Sequence, residues 1–207
     1  MTPSAAGPGT GGVPLSLRER QLQRTREDLI RATIDVIAEV GLEQATVQRI
    51  TARAGTSRAT LYAHFPDGRD DLYAQAYRAL GRGLIQRSEQ LASECETSVD
   101  RLCAYTQAMI ELAAQRQLGL FYNVSGPRLA GMKFRGSGSQ RTLDAFIVEL
   151  KGAQERGEIA ESLDIEAVSA LLVGAIRETG IDTARNPSVA RRSLAAFRQL
   201  IEALWNR

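Results

Sequence analysis

The sequence predicts an all-α protein, and three observations carry that expectation. Apolar residues recur at helical spacing along most of the 207 residues, no stretch alternates convincingly with a period of two, and 43% hydrophobic with 24% charged residues is the composition of an ordinary globular chain. The length permits one domain or a small domain fused to a larger one. With 26 basic and 24 acidic side chains the formal charge is only +2, which excludes a polybasic tail protein. The balance is uneven along the chain: residues 1–87 hold 12 Arg against nine acids, whereas 88–207 hold 14 basic and 15 acidic residues. Of the 26 basic residues 24 are Arg, the side chain best suited to bidentate contact with phosphate, although a GC-rich genome produces the same bias.

Residues 1–16, rich in Gly and Pro and without charge, read as a disordered leader. From Leu17 to Val40 the positions Leu22, Ile30, Ile34, Ile37 and Val40 define a first helix, closed by Gly41 as its C′ residue. Thr46, three residues before Arg49, is placed to cap a short second helix that ends at Ala54 and Gly55. The turn Gly55-Thr56-Ser57 leads into a third helix of about two turns, which Pro66 closes by disfavouring helical geometry at Phe65. A fourth helix begins near Asp70, whose charge suits a helix N-terminus, and carries Leu72, Tyr73, Ala76, Tyr77, Leu80 and Leu84 on one side toward Glu94. Amphipathic segments follow at 99–116 and 139–155. Between them, 118–139 is rich in Gly and large apolar side chains and reads as a broken helix or mobile loop. The last two helices, 164–180 and from Asn186 or Ser188 onward, are the most apolar.

Two short helices joined by a Gly-containing turn and packed on a longer one are the parts of a helix-turn-helix, whose second helix can enter the major groove of DNA. Ile50, Ala54 and Leu61 are expected to face a small core, with Ala52 and Gly55 small where helices cross. Ser57, Arg58, Thr60 and His64 are polar on the opposite side, and Tyr62 pairs an aromatic body with a hydroxyl able to bond a phosphate. At these residues the segment ATVQRITARAGTSRATLYAHFPDGRDDLY resembles the DNA-binding signature of the TetR family of bacterial regulators. The resemblance covers about residues 25–75 and rests on Thr46-Val47, Ala54-Gly55-x-Ser57, and Leu61-Tyr62 followed by Phe65-Pro66. One position departs from the pattern. The family usually places a Lys three residues after the Phe, where it holds a phosphate, but here that position is Gly68 and Arg69 follows, which reads as a one-residue insertion.

The resemblance implies a homodimer that binds a palindromic double-stranded DNA operator and a C-terminal region that takes a small-molecule effector. The corresponding division is a leader over 1–16, a helix-turn-helix domain over 17–68, and a helical effector-binding and dimerisation domain over 69–207. The expected DNA contacts are Thr46, Ser57, Arg58, Thr60, Tyr62, His64 and Arg69. Tyr105, Met109, Phe121, Tyr122, Phe134 and Phe146 either line an effector cavity or form ordinary core. Val168, Leu171, Leu172, Ala175, Phe197, Leu200, Ile201 and Leu204 suit a four-helix dimer interface or interior packing.

No catalytic constellation, metal-ligand spacing or cofactor motif is expected, and His64, the only histidine, reads as a polar surface residue. Cys95 and Cys103 match no zinc or redox motif and are expected to be reduced thiols, with a redox pair as the alternative. No apolar run or signal pattern points to a membrane, so a cytoplasmic protein is expected. The leading function is a ligand-responsive repressor released by a lipophilic effector; the alternative is a helical small-molecule-binding protein or enzyme with a relic helix-turn-helix.

Overall fold

The computed structural model describes residues 16–131 and 137–205, and every regular element among them is helical. The expected leader lies outside these residues except for Ser16, and Phe134 lies outside them as well. Ser16 is the N-cap of α1 (Leu17–Val40): its Oγ accepts from the Glu19 amide at 3.2 Å while the Glu19 carboxylate accepts from the Ser16 amide at 2.8 Å. This reciprocal box satisfies two amides that the first helical turn leaves without partners. The helix stops at Gly41, whose φ of 81° lies in a region a side chain would resist.

Helices α2 (Val47–Ala54) and α3 (Arg58–His64) follow, joined through Gly55 in the left-handed conformation at φ 64°. Ile50 and Leu61 are fully buried between them and α1, together with Leu29, Ile37 and Phe65. Ala52 and Gly55 are exposed, contrary to their expected place at a helix crossing. A Cβ on Gly55 would meet nothing within 4 Å, so glycine is there for its backbone conformation rather than for close packing. Leu22 is likewise half exposed, because the core face of α1 begins only at Leu29.

Helix α4 (Arg69–Ser93) runs from this N-terminal trihelical unit into the remaining bundle and packs against α1, α5 (Ser98–Ala114) and α8 (Ser137–Glu155). The stretch after α5 departs from expectation, since most of it is helical. Residues Arg116–Leu120 form α6, Phe121–Ser125 form a π-helical turn, and Gly126–Leu129 form α7. The Gly126 amide bonds back to the Phe121 carbonyl, the wider spacing that defines a π turn. Gly126 is required by packing: a Cβ there would overlap Tyr77 Cδ2 and lie 2.9 Å from the Phe121 oxygen.

Helix α9 (Ile165–Arg185), capped by Asp164, and α10 (Ala190–Trp205) complete the bundle. Leu102, Phe146, Leu150 and Ile201 fill its centre and join one continuous core with the N-terminal helices. Arg101 binds the Glu149 carboxylate through Nε at 3.0 Å and Nη2 at 2.7 Å, tying α5 to α8, and donates Nη1 to the Cys95 and Glu96 carbonyls. That guanidinium holds the Glu149 carboxyl below its ordinary range. Both cysteines are free; Cys103 is buried, which pushes its thiol up to about 11, while half-buried Cys95 donates to the Leu91 carbonyl.

The glycines of α4 and α7 make opposite predictions. Gly126→Ala is expected to destabilise by about 1–3 kcal/mol through overpacking against Tyr77. Gly83→Ala, at an open position inside α4, is expected to stabilise by about 0.5–1 kcal/mol. Urea unfolding of the two variants checks both signs.

Candidate nucleic-acid interface and effector cavity

The exposed surface of α3 is built from its caps upward. Ser57 is the N-cap: its Oγ accepts from the Thr60 amide at 3.0 Å and lies 2.9 Å from Thr60 Oγ1, so the two hydroxyls order each other at the start of the helix. Thr46 caps α2 in the same manner, accepting from the Arg49 amide at 3.3 Å, and is itself exposed. With Leu61 buried, Arg58 and Tyr62 project outward, Tyr62 with half of its surface exposed. Arg58 and Tyr62, four residues apart, share one exposed face, while Ser57 is exposed at the helix start and Thr60 is half-buried beside it. His64 is half-buried at the far end of the helix.

The departure at Gly68 has a structural cause. The Pro66–Gly68 turn closes with the Gly68 amide donating to the Phe65 carbonyl at 2.8 Å, and Gly68 takes φ 67°. A Cβ there would be strained and would also lie 3.0 Å from Tyr62 Cε1, so the Tyr62 ring rests where a side chain at 68 would stand. Arg69 becomes the first residue of α4, and its guanidinium sits 5.6 Å from the centre of the Tyr73 ring.

Two residues outside the expected set hold this surface in place. Arg26 of α1 donates Nη1 to the His64 carbonyl at 2.9 Å and lies 4.4 Å above the buried Phe65 ring, which satisfies an orphan carbonyl at the C-terminus of α3. The signal in the sequence is its place at the head of the series Arg26, Ile30, Thr33, Ile37, the inward face of α1. Tyr73 of α4 donates its hydroxyl to the Ala45 carbonyl at 2.5 Å, directly before the Thr46 cap. Its ring meets Phe121 of the π turn edge-on, with centroids 6.4 Å apart.

One turn further along α4, Tyr77 stacks on Tyr122 with centroids 5.2 Å apart, beside a cavity of about 70 Å³. Leu84, Met109, Pro127, Val173 and Ile176 supply most of its apolar wall, and Asn123, Thr142 and Arg177 its polar points. Asn123 is almost fully buried and donates Nδ2 to the Gly119 carbonyl at 3.1 Å. Burial raises the phenol of Tyr77, an effect that the nearby Arg177 charge partly offsets, and raises that of Tyr122 further, so both remain neutral.

Of the aromatic and Met residues expected around an effector, Met109 and Tyr122 line this cavity. Phe121 and Phe146 do not: both are buried core, Phe121 against Tyr73 and Phe146 against Tyr105 with centroids 5.4 Å apart. Tyr105 instead borders a separate open groove between α4, α5 and α8, beside Ala145 and Val148. Helical spacing marked all of these as inward-facing but not which ones border a void. Tyr77, Asn123, Thr142 and Arg177 escaped notice because their convergence depends on three helices and the π turn. The expected dimer residues divide in the same way. Leu172, Phe197 and Ile201 are buried within the chain's own core and are unavailable to a partner, whereas Leu171 and Leu200 are 74% and 57% exposed and Val168, Ala175 and Leu204 are half-buried.

Replacing Arg26 by Ala is expected to remove about 1–3 kcal/mol of stability, because it leaves the His64 carbonyl without its partner. Lys at 26 should restore only part, since it lacks the planar face that covers Phe65. Thermal unfolding of the two variants distinguishes these outcomes.

Residues 29–76 match the family of bacterial regulatory proteins described as the tetR family. The fatty acid metabolism regulator protein of Bacillus subtilis is 28% identical over 158 residues, 73% of this chain and 79% of that protein. A TetR-family transcriptional regulator from Pectobacterium atrosepticum superposes with a TM-score of 0.76 at 18% identity, covering 91% of this chain and 97% of the other. The transcriptional regulator FadR from Bacillus subtilis, solved in complex with stearoyl-CoA, has a TM-score of 0.65 at 21% identity over 83% of this chain and 96% of its own. The trihelical unit, the capped and exposed α3 and these likenesses agree: residues 29–76 form a DNA-binding domain of the tetR type, and the protein is a helix-turn-helix transcriptional regulator.

Proposed function

We propose that this regulator binds a palindromic operator as a homodimer, represses transcription there, and is released by a small lipophilic effector. In this reading residues 17–68 form the DNA-binding domain and 69–207 the effector-binding and dimerisation domain. The protein works in the cytoplasm by binding, without catalytic turnover; no described helix is long and apolar enough to cross a membrane. The principal support is the exposed side of α3, where Arg58 and Tyr62 project outward one turn apart and Ser57 stands exposed at the helix start. Arg58 and Tyr62 reach base edges or phosphates, while Thr46, Ser57 and Arg69 meet phosphates at the starts of α2, α3 and α4. His64 faces the backbone from the end of α3.

Two such surfaces about 34 Å apart match half-sites one helical turn apart in successive major grooves. The exposed Leu171 of α9 and Leu200 of α10, on helices that pack together, supply the apolar surface that a second copy covers. An effector entering the cavity beside Tyr77 and Tyr122 releases the operator only if it binds the released conformation more tightly than the operator-bound one. The lipophilic class accords with the apolar wall of that cavity and with the stearoyl-CoA held by the Bacillus subtilis FadR structure.

Selection from a random duplex library tests the DNA reading. It is expected to return a two-fold symmetric site whose affinity falls with salt by about 0.9 logarithmic units per phosphate neutralised. Arg58→Ala or Tyr62→Ala should weaken that complex by about 1–3 kcal/mol. Recovery of no preferred sequence would defeat the proposal. For the assembly, Leu171→Asp with Leu200→Asp is expected to convert a dimer to a monomer in sedimentation velocity while the helical signal is kept.

A further inference from the structure

The cavity beside Tyr77 and Tyr122 carries a charge that its surroundings leave unanswered. Arg177 is the only ionised side chain among the described lining residues, which include no Asp or Glu. Its neighbours one helical turn away on α9 are Val173, Gly174, Gly180 and Ile181, so no carboxylate on its own helix stands where it would pair. No ion pair joins it to a carboxylate elsewhere among the described residues. Its one polar contact among the described residues is a long one, from Nη2 to the Asn123 carbonyl at 3.4 Å, which engages one donor of a planar five-donor fork. The guanidinium is exposed at the rim while Tyr77, Met109, Val173 and Ile176 form an apolar wall inside it.

Resting on the effector reading above, we propose that the effector is a single-headed amphiphilic carboxylate, its acid group paired with Arg177 and its apolar chain between Tyr77 and Ile176. A guanidinium fork matches a carboxylate in two parallel hydrogen bonds, and at the edge of an apolar space such a pair is worth more than in water. A cationic amphiphile would be repelled, and an alcohol would leave the charge unanswered. A nucleotide thioester, with several phosphate charges, would call for more than the one cation present among the described lining residues. The cavity of about 70 Å³ is too small for such a chain, so binding must move Tyr122 and the π turn that carries it. That movement starts next to Phe121, whose ring rests on Tyr73.

The test uses the full-length protein and four matched probe series from hexyl to tetradecyl chain length: fatty carboxylates, alcohols, trimethylammonium salts and acyl-CoA thioesters, each below its micellar concentration. Direct binding is read by calorimetry without DNA, and release is read by fluorescence anisotropy of the selected operator. Carboxylates are expected to bind and release at least tenfold more effectively than the other three series. Arg177→Gln should erase that advantage, and Arg177→Lys should keep part of it. Equal or better binding by alcohols, ammonium salts or CoA thioesters, or an undiminished carboxylate preference in Arg177→Gln, would overturn the carboxylate assignment and leave the effector reading standing. Binding by none of the four series would overturn both.

Discussion

Tyr73 holds together the parts of this molecule that must act together. Its hydroxyl donates to the Ala45 carbonyl at 2.5 Å in the turn before α2, and its ring lies edge-on against Phe121 in the π turn. A buried carbonyl at the end of a short loop has few routes to satisfaction, and losing its partner costs more than the bond gains in water. One side chain on α4 therefore anchors the start of α2 and the inner end of the cavity wall. Tyr77, one turn away, repeats the arrangement by stacking on Tyr122. Helix α4 meets the π turn through two successive ring pairs, and that spacing needs both the wide turn and a glycine at 126.

This arrangement gives the N-terminal helices a rigid seat. Arg26 closes the far end of α3, the Thr46 and Ser57 hydroxyls close the near ends of α2 and α3, and Tyr73 secures the loop from behind. Helices of seven and eight residues are too short to persist alone, so their order comes from these caps and from burial of Ile50, Leu61 and Phe65. In the proposed reading, a DNA-reading surface seated this way responds to displacement of α4 through the Tyr73 contact.

Much of this was legible from residue order. The first five helices and the caps at Thr46 and Gly41 follow from local rules, because they depend on residues three or four apart, whereas Gly55 serves its left-handed conformation rather than the close packing that the sequence suggests. The π turn was not legible, since a run such as Phe121-Tyr122-Asn123-Val124-Ser125 offers no local reason to take one pitch over another; packing against Tyr73 and Tyr77 decides it. Apolar periodicity could not separate the cavity-lining Met109 from the solidly packed Phe146. Nor could it separate the exposed Leu171 from the buried Leu172, because adjacent positions on a broad apolar helix face differ only in what lies opposite. Arg177 was silent for a related reason: its meaning lies in the absence of carboxylates around it, which only the assembled helices display.

The claim that Tyr73 couples the cavity wall to the DNA-reading helices is tested most directly by native-state hydrogen exchange in the wild type and in Tyr73→Phe. Removing the hydroxyl keeps the ring against Phe121 and deletes its bonds to the Ala45 and Leu42 carbonyls. The account predicts faster exchange at the α2 and α3 amides, Ile50 and Leu61 among them, with α5 and α9 protected as before. Unchanged protection across α2 and α3, or loss spread evenly over the whole chain, would contradict it.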